Sequence, residues 1–293
     1  MSTNSTPARI AAAPISWGVS EVPGWGHQLP VDRVVGEMAA LGIAATEFGP
    51  DGFLPDDPQA RAAYLTRHGL GAVGGFLPVV LHERGTDPMP QVDAFVTGCL
   101  AADAGVVVLA AHTGCEGYDS RPFLDDDGWQ TLLDNVDRLA AHCRDRGVVA
   151  ALHPHVGTMI ESCAEVERVL AGSDIGLCLD SGHLLVGGTD PVLLAHDHPD
   201  RVVHVHLKDV DDVLAQRVRN GDLTFADAVR AGLFVRLGTG SVDVTEIILT
   251  LQAHAYAGWY VLEQDVMLDS ADSGEQVAAD VRASLDHVRR ALA

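Results

Sequence analysis

Lysine is all but missing from this chain: of 19 basic residues only Lys208 carries an ammonium, and the rest are arginine. Basic charge as a whole is scarce, with 41 acidic residues giving a formal net charge of −22. Such a balance opposes binding to nucleic acid or to an anionic membrane surface, both of which call for clustered Lys and Arg. No apolar run reaches the roughly 18–20 residues that a spanning helix needs. Cysteine is sparse: Cys99, Cys115, Cys143, Cys163 and Cys178 are odd in number and form no CxxC pair. With no secretory apolar segment at the N-terminus, a reduced, cytoplasmic setting is expected. No linker-like stretch divides the 293 residues, so one domain is expected over 9–293, preceded by a loose tail, Met1 to Ala8.

What is present is a regular alternation. Apolar strand candidates run Ile10 to Ser16, Ala44 to Phe48, Leu70 to Val79, Val106 to Ala111, Val148 to His153, Ile175 to Asp180, Val202 to Leu207 and Trp259 to Glu263. Between and after them lie helical patterns: Val31 to Leu41, Pro58 to Arg67, Pro90 to Ala102, Gly128 to Arg146, Cys163 to Ala171, Pro191 to His198, Val244 to Ala255 and Gly274 to Ala291. Gly42 and Gly147 stand where helix C-terminal glycines belong, and Ser162 or Ser173 where caps belong. Eight such units predict a parallel sheet closed into a single (β/α)8 TIM barrel. The competing architecture, an open doubly wound sheet, lacks its Gly-rich phosphate loop: Pro14-Ile15-Ser16-Trp17-Gly18 follows the first strand instead. The stretch from Asp211 to Thr239 is too long for a plain connection. Phe225 to Val229 within it has a helical pattern, and Leu237 to Gly240 reads as a turn over the barrel mouth, so a lid and a subunit contact are both open readings.

Strand parity then sorts the polar residues. Successive side chains alternate faces, which groups His204, His206 and Lys208 against Val203, Val205 and Leu207. The same rule groups Ala151, His153 and His155, then Gly176, Cys178 and Asp180, then Trp259, Val261, Glu263 and Asp265. Four late strands thus end in candidate ligands on one consistent face, at the C-terminal rim where barrel chemistry gathers. His153, Asp180, His206 and Glu263 form a plausible cage of nitrogen and oxygen for Mn²⁺, Co²⁺, Zn²⁺ or Fe²⁺, with Mg²⁺ less suited to histidine. His155 rivals His153 as the fifth-strand ligand, and His112 at the end of the fourth strand is a further candidate ligand or substrate contact. His183, three residues past Asp180, is a candidate acid or substrate hydrogen-bonding group; Lys208, Asp209, Glu47 and Trp17 are expected to line the remaining walls. For each of these residues taken singly, a cap or a satisfied buried polar group is the simpler account. Glu47 in particular reads equally well as an acceptor for amides at the mouth.

Over nearly its whole length the sequence resembles the xylose-isomerase-like TIM-barrel superfamily of sugar isomerases, epimerases and dehydratases. The resemblance rests on Pro14-Ile15-Ser16-Trp17-Gly18, Thr46-Glu47-Phe48-Gly49, His153-Pro154-His155-Val156-Gly157-Thr158, Leu179-Asp180-Ser181-Gly182-His183, His204-Val205-His206-Leu207-Lys208-Asp209-Val210 and Glu263-Gln264-Asp265. Within that superfamily these motifs look most like the inosose (2-keto-myo-inositol) dehydratase group. The resemblance implies a divalent metal, Mn²⁺ or Co²⁺, held by Asp180, His206 and Glu263. The epimerase branch adds a fifth-strand glutamate that shares proton transfer with the eighth-strand one, and this chain offers His153 there, which counts against a two-glutamate epimerisation. Dehydration of a keto-cyclitol or keto sugar is implied instead, with His155, His183, Lys208 (paired with Asp209) and Glu263 as candidate proton-transfer groups. A metal-dependent isomerase or epimerase is the alternative, and a non-catalytic sugar-binding barrel a second one. The implied partner is a small keto sugar or cyclitol, and barrels of this kind commonly form homodimers or tetramers. An abasic-site endonuclease shares the superfamily, but the acidic charge opposes it.

Overall fold

The computed structural model describes residues 9–293; the expected tail lies outside the described residues. Eight parallel strands close into a barrel in the order β1-β10-β7-β6-β5-β4-β3-β2. These strands are β1 (Arg9–Ala12), β2 (Ala45–Glu47), β3 (Gly71–Val79), β4 (Val106–Ala111), β5 (Val149–Leu152), β6 (Gly176–Asp180), β7 (Val202–Leu207) and β10 (Trp259–Leu262), while β8 (Asp209–Val210) and β9 (Phe234–Val235) pair as a separate antiparallel ribbon. The helices are α1 (Val31–Ala40), α2 (Pro58–Arg67), α3 (Met89–Ala101), α4 (Asp126–Asp145), α5 (Cys163–Gly172), α6 (Ser181–Val186), α7 (Pro191–Asp197), α8 (Asp212–Arg219), α9 (Phe225–Arg230), α10 (Val244–Ala253) and α11 (Gly274–Ala291). The TIM-barrel expectation holds and the open sheet is excluded.

Parity divides the core into two layers. Leu109, Leu152, Leu177, Leu179, Val205 and Leu207 face outward and pack under the helices, each buried. Ala11, Ala13, Ala45, Val73, Val106, Val108, Ala151, Cys178 and Val261 face the barrel axis. The helices show why their stripes dock: α4 buries Trp129, Leu132, Val136, Leu139 and Cys143 and is capped by Asp125, whose carboxylate accepts from the Gly128 amide. Ser162 and Glu165 form a capping box at the start of α5, satisfying amides that the first turn leaves unpaired. Gly42 and Gly147 adopt φ of +70° and +77° after their helices, as expected of C-terminal glycines.

Three local departures matter. The first strand stops at Ala12, and Pro14–Trp17 forms a 3-10 turn. Pro14 has its φ fixed and no N–H to donate, so it opens the turn rather than extending the ladder. Val203 packs on the inner cluster rather than facing out with Val205, because the β6–β7 register skips it between Leu177 and Cys178. The insertion after β7 builds the β8–β9 ribbon and two helices, α8 and α9, of which the pattern had shown one.

Candidate functional site

The C-terminal ends of β5, β6, β7 and β10 deliver most of the polar groups to the rim. Asp180 ends β6 and serves as the N-terminal cap of α6: its Oδ1 accepts from the amides of Gly182 and His183. That fixes the carboxylate and leaves Oδ2 pointing at the axis, buried and without an aligned hydrogen-bond donor. His206, on the neighbouring strand and level with Asp180, has its Nε2 2.9 Å from Glu47 Oε1. Its Nδ1 therefore faces the other way, 3.5 Å from Asp180 Oδ2 and 3.2 Å from Glu263 Oε2, and has no hydrogen-bond partner. His153 completes the group, with Nε2 3.4 Å from Asp180 Oδ2 while its Nδ1–H donates to the Pro154 carbonyl at 2.7 Å.

Lys208 stands beside this group with its ammonium 2.8 Å from Glu263, 3.0 Å from Asp180 and 3.1 Å from Asp265. Burial works against its charge, but Asp180, Asp265 and Glu263 hold its pKa well above the ordinary lysine value. Burial likewise opposes a charge on His206, and Cys178, Glu263 and Glu47 around it raise it well above the usual imidazole range. Glu47 stays ionised despite its burial, because His206 and His204 both face it. Burial is also outweighed at Asp180, chiefly by Lys208, and at Glu263, chiefly by His206 and then Lys208; both carboxyls titrate low. The result is four buried carboxyl groups around two cations, a concentration of negative charge that pulls positive charge inward. Asp180 Oδ2, His206 Nδ1 and Glu263 Oε2 converge in a set that fits a divalent ion chemically, and Asp180, His206 and Glu263 offer ligand atoms mutually within 4.8 Å. Glu47 would then act as the acceptor that orients the imidazole behind the ion.

His155 and His183 lie on the other side of the mouth. Their rings are 3.6 Å apart, and burial, reinforced by His153 at the first and by His155 at the second, pushes each pKa well below the usual value, so both are neutral. His155 lines the cavity with its Nδ1–H donated to the Val156 carbonyl, leaving Nε2 as an acceptor. His183 sits beneath it, fully buried and outside the cavity lining. Above the polar group opens a cavity of about 280 Å³, also lined by Ile15, Trp25, Phe76, Phe95 and Tyr118.

Three expected contacts, Trp17, Asp209 and His112, fall outside the cavity lining. Trp17 turns away from the mouth into the helical layer, where its indole donates to Glu37 at 2.7 Å, because the 3-10 turn rotates it out. Asp209 is consumed by structure: its carboxylate accepts from the amides of Val210, Gly238, Thr239, Gly240 and Val242 and pins the turn after β9. His112 accepts the Gly114 amide and does not line the cavity. Glu47 does reach the cavity, but its carboxylate is occupied by two imidazoles. In the other direction, Asp265 was not singled out. Burial, reinforced by Glu263 and Asp180, raises it to about 6 even against Lys208, and it lines the cavity. Its inward parity with Glu263 was the available signal.

The comparisons agree with this architecture. The xylose isomerase-like TIM barrel family matches residues 35–291. An inosose dehydratase of Geobacillus kaustophilus is 32% identical over 278 residues, covering 90% of this chain and 90% of its own. A rhizopine catabolism protein, MocC, of Rhizobium meliloti is 35% identical over 268 residues, covering 88% of this chain and 81% of its own. Among solved structures, the IOLI protein with a bound zinc atom superposes with a TM-score of 0.67 at 14% identity, covering 97% of this chain and 98% of that one. No helix among the described residues is long and apolar enough to cross a membrane. By the extent of the family match and of the relatives it aligns with, this chain belongs to the xylose isomerase-like TIM barrel family.

Proposed function

We propose that the protein is a divalent-metal-dependent hydro-lyase that removes water from a keto-cyclitol, 2-keto-myo-inositol being the specific substrate. The observation that carries the reading is the convergence of Asp180, His206 and Glu263 under a cavity whose polar wall also holds Lys208, Asp265 and His155. It is supported by the relatives named inosose dehydratase, and by β5, which supplies His153 where a two-glutamate epimerase needs a second carboxylate. Asp180, His206 and Glu263 would hold the ion, with His153 as the fourth donor, and Mn²⁺ or Co²⁺ suits that mixture of oxygen and imidazole nitrogen. When bound, the ion would supply charge stabilisation for a ketone oxygen during cleavage of the adjacent C–H bond.

The remaining chemistry falls to side chains. His155, neutral and open at Nε2, is placed to accept the proton from carbon. His183 fixes the plane of that ring from below. Lys208 and Asp265, 3.1 Å apart, supply the proton that lets the β-hydroxyl leave as water. The aromatic and apolar residues of the lining exclude solvent and take the C–H face of a ring. The test is direct. Metal-stripped protein incubated with 2-keto-myo-inositol should gain activity on addition of Mn²⁺ or Co²⁺, with a conjugated, ultraviolet-absorbing product appearing as water is lost. Turnover that survives thorough chelation would remove the metal-dependent reading, and solvent deuterium entering recovered substrate without water loss would replace dehydration by epimerisation.

A further inference from the structure

One layer below the carboxylates the barrel interior carries a second set of ligand atoms. Cys178 is fully buried and pairs in register with His204, two residues beneath Asp180 on the same face of β6. One ligand atom each from His153, Cys178 and His206 lie within 4.8 Å of one another. The free valences of these residues point to the same use. His153 has spent Nδ1 on the Pro154 carbonyl, leaving Nε2. His206 has spent Nε2 on Glu47, leaving Nδ1, which is buried and without a hydrogen-bond partner.

We propose that His153, Cys178 and His206 form a binding site for a thiophilic divalent ion such as Cd²⁺ or Zn²⁺, alternative to and exclusive of the carboxylate-rich set above it. The donor chemistry separates the two. Two imidazoles with a thiolate favour soft and borderline ions, whereas the same two imidazoles with the carboxylates of Asp180 and Glu263 favour harder ones such as Mn²⁺. Exclusivity follows from His153 and His206, each of which has one free nitrogen and is needed by both sets. Formation of the sulfur–ion bond releases the thiol proton to solvent. A thiophilic ion therefore sinks deeper into the barrel and draws His206 away from the cavity, acting against the hard ion rather than in its place. The inference rests on the donor atoms alone, independent of which substrate the cavity takes.

The experiment is a Cd²⁺ titration of the metal-stripped protein carrying Cys115→Ser and Cys163→Ser, which silences the two half-exposed thiols. One equivalent of Cd²⁺ should produce a thiolate-to-cadmium charge-transfer band in the ultraviolet. Added Cys178→Ser should abolish that band and weaken Cd²⁺ binding by roughly 100-fold. Mn²⁺ binding, read by electron paramagnetic resonance, should be unchanged in that variant and displaced one for one by Cd²⁺ in its parent. A ¹¹³Cd chemical shift in the sulfur-ligated range for the parent protein serves as a readout that needs no substitution at Cys178. A bound ion without a sulfur band or shift, a band that survives Cys178→Ser, or simultaneous binding of Cd²⁺ and Mn²⁺ would each overturn the proposal. None of these outcomes bears on the dehydratase reading, which is decided by turnover with Mn²⁺.

Discussion

The two halves of the barrel are built from opposite materials. From β1 to β4 most of the residues that face the axis are small and apolar, as in Ala11, Ala13, Ala45, Val73, Val106 and Val108, with Phe76 on β3 the large one. On β5, β6, β7 and β10, or just beyond their ends, the axis-facing positions carry His153, Cys178, Asp180, His204, His206, Lys208 and Glu263. The difference is a division of volume. Short side chains on one side leave room for long polar ones on the other, so the interior can hold charge. Glu47 on β2 is the polar exception: it crosses the axis to bind both His204 and His206. The late half carries chemistry and the early half carries shape.

Replacing His206 with Ala should do the greatest damage, because that ring serves all three groups of ligating residues found among the described residues. A loss of at least about 10³-fold in kcat/KM is expected, together with loss of the tightly bound ion by elemental analysis. Retention of a tenth of the activity would dissolve the contrast between the halves. The early half should fail differently. Gly74 on β3 has φ of +129°, and a Cβ there would overlap the Val106 carbonyl of β4. Gly74→Ala should cost about 3 kcal/mol or more in denaturant unfolding, while the fraction that remains folded binds metal normally.

Glu47 sharpens the comparison because it belongs to the early half by position and to the late half by contact. Glu47→Gln keeps the shape and weakens the acceptor that orients His206, so metal affinity should fall by roughly 10–100-fold with little change in thermal stability. An unchanged affinity would make Glu47 part of the scaffold after all. The same residue marks how far the sequence could be read. The late-strand ligands were legible because parity is a local rule that needs only the neighbouring residues, and β4 and β7 fall where their apolar runs do. The sequence reads Glu47 as a wall residue or as an acceptor for amides; its pairing with His206 joins residues 159 apart and follows from barrel closure. Trp17 was misplaced because a single proline changed strand into 3-10 turn, and Asp209 because the amides it binds come from a turn some thirty residues on. α6 and α8 were invisible as periodic segments: 6 and 8 residues span too few turns to show a stripe.

The gentlest effect concerns Asp265, the late-half carboxyl with the least compensated charge. In the folded, metal-free protein its pKa lies at about 6 against an ordinary value of 3.8. A carboxyl whose pKa is raised by folding binds its proton more tightly in the native state than in the unfolded one. It therefore contributes stability that is fully present below about pH 4 and is lost as pH rises through about 6, after which the curve is level with respect to this group. Thermal melts in chelator across that window should fall by a few degrees for the parent and run flatter for Asp265→Asn, which has no proton to lose. A parent melting temperature that rises between pH 4 and 6 at the same slope in both proteins would mean that Lys208 holds Asp265 ionised throughout. The proton for the leaving hydroxyl would then have to come from the ammonium alone, which its three carboxylate neighbours hold fast.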